Sequence, residues 1–285
     1  GHSGLMQAPR RHPLFLRFPL AGTVAVSTGD LPTPYHVYDG HGLLITGQAK
    51  PDVVAQAFVG QDVFPVLTQS GKAAMGLFIC SFTDASLGPH LELQAVALCA
   101  DAPGQTISDD PTAFLGALAS RPELAVLSLN LWNDTASVVA YNRDYLGLEA
   151  DLARGQISLG KRMDFTIEAP DGTALAEGSI RKNRLSDLGA TFALMRQLGL
   201  HQVLRLARQP FALAHLVNRK TPVLPRNGRA RTITAADQMV ITRFAAKHDR
   251  LSLCGPLAAY DFEPLCFEHM SPFRFVYLHP DDPSQ

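Results

Sequence analysis

Residues 82–100 read FTDASLGPHLELQAVALCA. The stretch holds a Gly-Pro turn and then an apolar strand, with His90 and Glu92 at the strand's turn-side end. Leu91, Leu93, Ala95, Ala97 and Cys99 share one face at period two. Glu92, Gln94, Val96 and Leu98 share the other. Both faces are largely apolar, the pattern of a strand covered on two sides. Glu92 reads either as a solvated carboxylate at a strand edge or as a partly buried one. Burial would raise its pKa toward neutrality, where a carboxyl works as an acid or a base. His90 is two residues away, so the two side chains share a side and can form an acid/base pair. His90 can instead simply cap the turn after Pro89.

Short apolar runs bounded by Gly, Pro, Asp or Asn continue in both directions. They include HGLLITGQA, AAMGLFICSF, AVLSLNLW, ASVVAYN, GQISLGKRMDFTIEA and ALAEGSIRK, and they predict strands. DGT between the last two predicts a hairpin. Helices are predicted over KPDVVAQAF, over DDPTAFLGALASR, and as one or two segments within 187–220 broken near Gly199 and Pro210. Residues 8–40 read as an extended arm. DQMVITRFAAKHDRLSLCG and FRFVYL return to strand. GHSGLMQ reads as an expression scar. The expected organisation is a scar and tail over 1–12 and a single domain over 13–285. The fold class is α+β, mainly β: a barrel or large curved sheet around a central cavity, with a few peripheral helices.

The chain has 285 residues, 46% hydrophobic and 18% charged, with net charge −1. That provides enough apolar material for a core and no field to draw nucleic acid or an anionic membrane. No apolar run is long enough to cross a bilayer, and no secretory leader is evident. Cys80, Cys99, Cys254 and Cys266 form no C-x-x-C pair, and no His/Cys spacing suggests zinc. Neither a G-x-G-x-x-G after a strand, nor a P-loop, nor HExxH occurs. The expectation is a cofactor-independent, cytoplasmic protein without a metal, a nucleic-acid partner or a membrane contact.

The pair FTDASLGPHLEL and LNLWNDTASVVAYNRDYLGL resembles the acetoacetate decarboxylase-like superfamily. Members carry a Gly-x-x-x-Glu element, an apolar strand, a Gly-Arg-Glu triplet and a Pro-Lys-Lys stretch. Here Gly88 and Glu92 match the first, and Asn142-Arg143-Asp144 stands for the triplet with Arg143 kept. The resemblance implies a cone-shaped antiparallel barrel around a cavity, in a homo-oligomer. The family's decarboxylases form a Schiff base on a lysine whose pKa a neighbouring lysine depresses. At those two positions this chain has Ala150 and Asp151, and the family's other cavity carboxylate falls at Leu77.

The residues then support three readings. The first is a lyase- or isomerase-type enzyme acting on a keto acid or another enolisable carbonyl compound without an imine. It covers dehydration, hydration, cyclisation or decarboxylation, of the kind found in secondary metabolism or a catabolic side path. Glu92 and His90 carry the proton transfer, and Arg143 anchors a carboxylate or enolate through its two-pronged guanidinium. Tyr141, Asn142 and His41 are candidate substrate contacts. The second is a non-catalytic barrel binding a small hydrophobic acid. The third moves the Schiff base to Lys161, which is in phase with Ile157, Leu159, Met163 and Phe165 on an apolar face. A bulge at Gly160 would turn Lys161 to solvent instead.

Overall fold

The computed structural model describes residues 9–209, 211–222 and 224–282. The scar reading of GHSGLMQ lies outside them. Three long strands begin the main sheet: β1 (Tyr35–Ala49), β2 (Ala73–Ala85) and, after the Gly-Pro turn, β3 (His90–Ala100). Gly88 takes φ +87° in that turn, a conformation that favours glycine. β4 (Ala125–Asn133) pairs antiparallel with β3, and the short β5 (Ala150–Leu152) adds parallel to β4.

The chain then leaves the main sheet. It forms β6 (Arg154–Leu159), β7 (Arg162–Glu168) and β8 (Ala174–Arg181), and later β12 (Arg250–Leu253), as a separate four-stranded sheet. The predicted DGT hairpin joins β7 to β8, with Asp171 accepting from the Thr173 amide at 2.9 Å. It returns through β9 (Ala212–Val217), β10 (Arg229–Thr234), β11 (Gln238–Arg243), β13 (Glu263–Ser271) and β14 (Phe275–Leu278).

Seven strands close into a ring in the order β1-β2-β3-β4-β9-β10-β14 and back to β1. All but one of its junctions are antiparallel, and the exception is β4 with β9. The sheet is therefore mixed rather than purely antiparallel. β1 is long enough to pair with β14 through residues 35–37 and with β13 through residues 42–48.

The two faces of the ring bury different clusters. The outer face carries Leu43, Ile45, Leu77, Ile79, Leu93 and Phe267, covered by Met163, Phe165 and Ile167 of the second sheet. The inner face carries Leu44, Cys80, Phe82, Val96 and Met270, with Tyr35, Phe275 and Tyr277 toward one end. Phe114 and Leu115 of α1 (Ala113–Ser120) join the same inner cluster. This two-sided coverage explains why β3 is apolar on both faces.

Four local expectations change. Residues 136–142, expected as strand, form the short helix α2 (Ala136–Ala140) and a π-turn over Tyr141–Tyr145. Asp134 accepts from Leu91 N at 2.8 Å and Thr135 caps the helix, so β4 stops at Asn133. Within 187–220, α3 (Leu188–Arg208) bends at Gly199 as expected, but the residues from Ala212 onward are a ring strand. Pro210 lies outside the described residues. The expected arm contains helical turns at Pro9–Arg11 and Pro13–Arg17 and a hairpin of Thr23–Val26 with Gly29–Pro32. Leu77 faces the outer layer, and Phe78 is the inner-facing neighbour.

Candidate functional site inside the ring

Glu92 pairs in register with Cys80, and His90 with Phe82. Both partners belong to the inner cluster, so the period-two reading holds: His90 and Glu92 share the interior side. Glu92 retains some accessible surface, yet it lies deep enough for burial to push its carboxyl up to about 7. Its side chain therefore lies on the interior side of the ring with part of its surface accessible. The two surface hollows at the periphery do not reach it. One, of about 440 Å³, lies beside His201, Leu204 and Arg208. The other, of about 180 Å³, lies between Ser27, Val139 and Arg143.

One side chain opposes the rise in the Glu92 pKa, a hydrogen bond from Asn133. Asn133 is fully buried at the end of β4. Its Nδ2 also donates to Leu91 O at 3.1 Å, and its Oδ1 accepts from Asn142 Nδ2 at 2.9 Å. Asn142 therefore lies behind Asn133 and fixes which amide edge faces the carboxyl.

His90 does not bond Glu92. Its Nδ1 bonds Gly88 O at 2.8 Å, and its Nε2 meets the Tyr35 hydroxyl. A carbonyl only accepts, so Nδ1 carries the proton. Burial keeps the ring neutral by lowering its pKa, so Nε2 accepts from the Tyr35 O–H. Burial, with Glu92 adding to it, holds the Tyr35 phenol well above its usual range. Tyr277, the register partner of Tyr35, is raised by the same two causes. Tyr141 is fully buried with its ring centroid 5.9 Å from that of Tyr35, and its hydroxyl bonds Thr33 Oγ1 at 3.0 Å.

The other expected residues lie elsewhere. Arg143 is 54% exposed. Its guanidinium bonds Ala150 O, at 3.0 Å from Nε, and Asp151 at 2.8 Å, so it braces β5 from outside. The π-turn directs Asn142 inward and Arg143 outward, a geometry the strand reading could not supply. Asp144 accepts from Ser27 N at 2.9 Å and so ties down the 23–32 hairpin. His41 faces the outer layer, where its Nε2 bonds His269 Nδ1 at 2.7 Å and burial lowers both rings to about 4. Lys161 is exposed at the tip of the β6–β7 turn. The strand ends before it, so the phase with Leu159 carries no burial.

Ala150 is buried in the inner cluster beside Leu131, its register partner. Of the six lysines, Lys50, Lys72, Lys161, Lys220 and Lys247 are exposed. Lys182 is half-buried near His41 and His269 on the outer side.

Sequence reasoning missed Tyr35, Tyr277, Asn133 and Glu268. Glu268 pairs with Leu44 and with Ile241, and burial alone pushes its carboxyl up to about 7. An available signal was PLCFEHM: an acid in phase with Cys266 and Met270 inside an apolar strand. Among the described residues no group of three or more His, Cys, Asp or Glu side chains could hold a metal, and no helix is long and apolar enough to cross a membrane.

No family model and no curated protein matches the chain. Solved structures do. Acetoacetate decarboxylase from Legionella pneumophila is 12% identical, over 91% of this chain and 87% of that one, with a TM-score of 0.50. Another acetoacetate decarboxylase structure is 10% identical, over 86% and 87%, with a TM-score of 0.53. The enduracididine biosynthesis enzyme MppR, complexed with pyruvate, is 16% identical, over 91% and 96%, with a TM-score of 0.53. The chain has an acetoacetate decarboxylase-like fold.

Proposed function

We propose that this protein is a lyase- or isomerase-type enzyme that moves protons on a small enolisable carbonyl compound or keto acid, with Glu92 as the acid/base. The observation that carries the reading is the Glu92 carboxyl itself. It sits inside the ring, is desolvated to a pKa of about 7, and is held by one amide donor. A carboxyl at that value exchanges between acid and base near neutrality at little cost. As the carboxylate it takes a proton from the carbon beside the carbonyl, and as the acid it returns one. The Tyr35 hydroxyl donates its hydrogen bond to His90, which leaves the phenol oxygen as an acceptor for a substrate enol or hydroxyl. Asn133, oriented by Asn142, keeps the carboxyl in place. No step requires an imine or a bound cofactor. MppR was crystallised with pyruvate, which favours small keto acids as the first compounds to try.

The test is hydrogen exchange at carbon. The protein is incubated in D2O with a panel of unsaturated or hydroxylated keto acids, and deuterium entry beside the carbonyl is followed by NMR. Glu92→Gln is expected to lower exchange by about 10²–10⁴-fold, and borohydride is expected to trap no adduct. Undiminished exchange in Glu92→Gln would overturn the role of Glu92. Binding without exchange across the panel would favour a non-catalytic barrel.

A further inference from the structure

Glu268 has no part in the proton transfer above, and nothing in the fold explains it. Its register partners Leu44 and Ile241 flank it, Phe78 follows Leu44 in the same row, and Gln94 follows Phe78. Leu44 belongs to the inner cluster, and Phe78 and Ile241 pack against it, so the Glu268 side chain lies on the inner face of the sheet, on the strand that flanks the ring at β1. Among the described residues it has neither a hydrogen-bond partner nor an ion pair. A desolvated carboxyl left without a donor is destabilising. Like Glu92, it keeps some accessible surface.

The surrounding charges are one-sided. Arg243 shares the inner parity but lies at the rim, opposite Cys266. Asp187 holds it there at 2.8 Å. Arg229 and Arg231 alternate with inner-facing Ala230 and so lie on the outer side. The titratable groups around Glu268 are Cys266 on its own strand, the Arg243–Asp187 pair and Asp110 beyond it, and Glu92 across the ring. Among the described residues a carboxylate ligand would meet two acids on the inner face and no uncommitted cation.

We infer that Glu268 determines specificity by holding a protonated nitrogen, an ammonium- or amidinium-type group, on the substrate. This cation lies at the end remote from the carbonyl that Glu92 serves. Three strand spacings, ~14 Å around the wall, and two residues, ~7 Å along it, separate the two acids. The curvature of the ring shortens the direct path, so several atoms of chain join the two ends of the substrate. The placement of the carbonyl rests on the Glu92 reading. The cation site rests on the surroundings of Glu268 alone.

Calorimetric titration at pH 8 with n-butylammonium, 1-butanol and butyrate tests it without turnover. The ammonium is expected to bind at least tenfold more tightly than the alcohol. Glu268→Gln should erase that preference and leave alcohol affinity unchanged, Glu268→Asp should keep it in weakened form, and Glu92→Gln should keep most of it. In the wild type, ammonium affinity should rise with pH up to about 7 and then level, because the cation needs the ionised carboxyl. In Glu268→Gln it should be flat. Equal binding of ammonium and alcohol, tighter binding of butyrate, or a preference that survives Glu268→Gln would each overturn the inference. Undiminished deuterium exchange in Glu92→Gln, with an ammonium preference that Glu268→Gln still erases, would sink the Glu92 reading and leave this one standing.

Discussion

Asp249 and Glu92 are both buried acids, and they end in opposite charge states. The Asp249 side chain is fully shielded from solvent on the outer side of the ring. Burial pulls its pKa up, but Arg181 and two backbone amides outweigh that and hold the carboxyl below the usual carboxylate range. Arg181 reaches it at 2.9 and 3.1 Å, its own amide at 3.0 Å, and the Ala245 amide at 3.0 Å. Glu92 has the Asn133 amide, and Glu268 has no donor; both rise to about 7. The Arg181 charge and the backbone donors, which Glu92 and Glu268 lack, hold the Asp249 pKa down. A carboxylate whose lone pairs are satisfied is part of the structure. One left short of donors weakens the fold and is free to exchange a proton or meet a ligand.

The largest effect that would break this contrast is on stability. Asp249→Ala strands the Arg181 charge and is expected to cost about 3–5 kcal/mol in urea unfolding. The native contribution of Asp249 is present above the unfolded pKa of about 3.9 and fades as pH falls through its lower folded value. An Asp249→Ala protein as stable as the wild type would end the comparison.

Glu92→Gln should do the reverse. Turnover falls by about 10²–10⁴-fold, while the fold loses nothing. The folded pKa of Glu92, about 7, lies above its unfolded value of about 4.3. Glu92 therefore costs stability progressively as pH rises from about 4 to 7. The variant should escape that loss and melt higher than the wild type at pH 8. A variant melting lower there would show that the carboxylate is structurally satisfied after all.

Asn133→Ala removes the one donor and should move the rising limb of kcat/KM upward by about one pH unit. Asn142→Ala should move it the same way by less, since it acts through Asn133. A pH profile that stays in place would detach both amides from Glu92. The smallest effect is expected for Arg143→Gln. Its ion pair is exposed, so stability should change by less than about 1 kcal/mol. Turnover should hold, and a large fall in kcat would return Arg143 to the site.

Much of this was legible from pattern. The turn at Gly88, the two-sided β3, the DGT hairpin and the bend at Gly199 all follow from residues that force a conformation or from strict alternation. ASVVAYN was misread because seven residues cannot separate a strand from a helix when two are valine. Thr135 as a cap was the available cue. His41 shares its phase with Leu43 and Ile45, but both faces of β1 are buried, so phase could not say which one looks inward.

The sequence by itself determined that Glu92 and His90 share a side, because alternation along a strand is a local property. It also determined that no lysine lies between Lys72 and Lys161. Only the tertiary structure decided that His90 serves Tyr35 rather than Glu92, that Asn142 reaches the site through Asn133 while Arg143 does not, and that Glu268 joins the interior from a strand more than 170 residues downstream of Glu92. Those outcomes depend on which strands become neighbours when the ring closes and on which groups water is then kept from, and neither is written in any single segment.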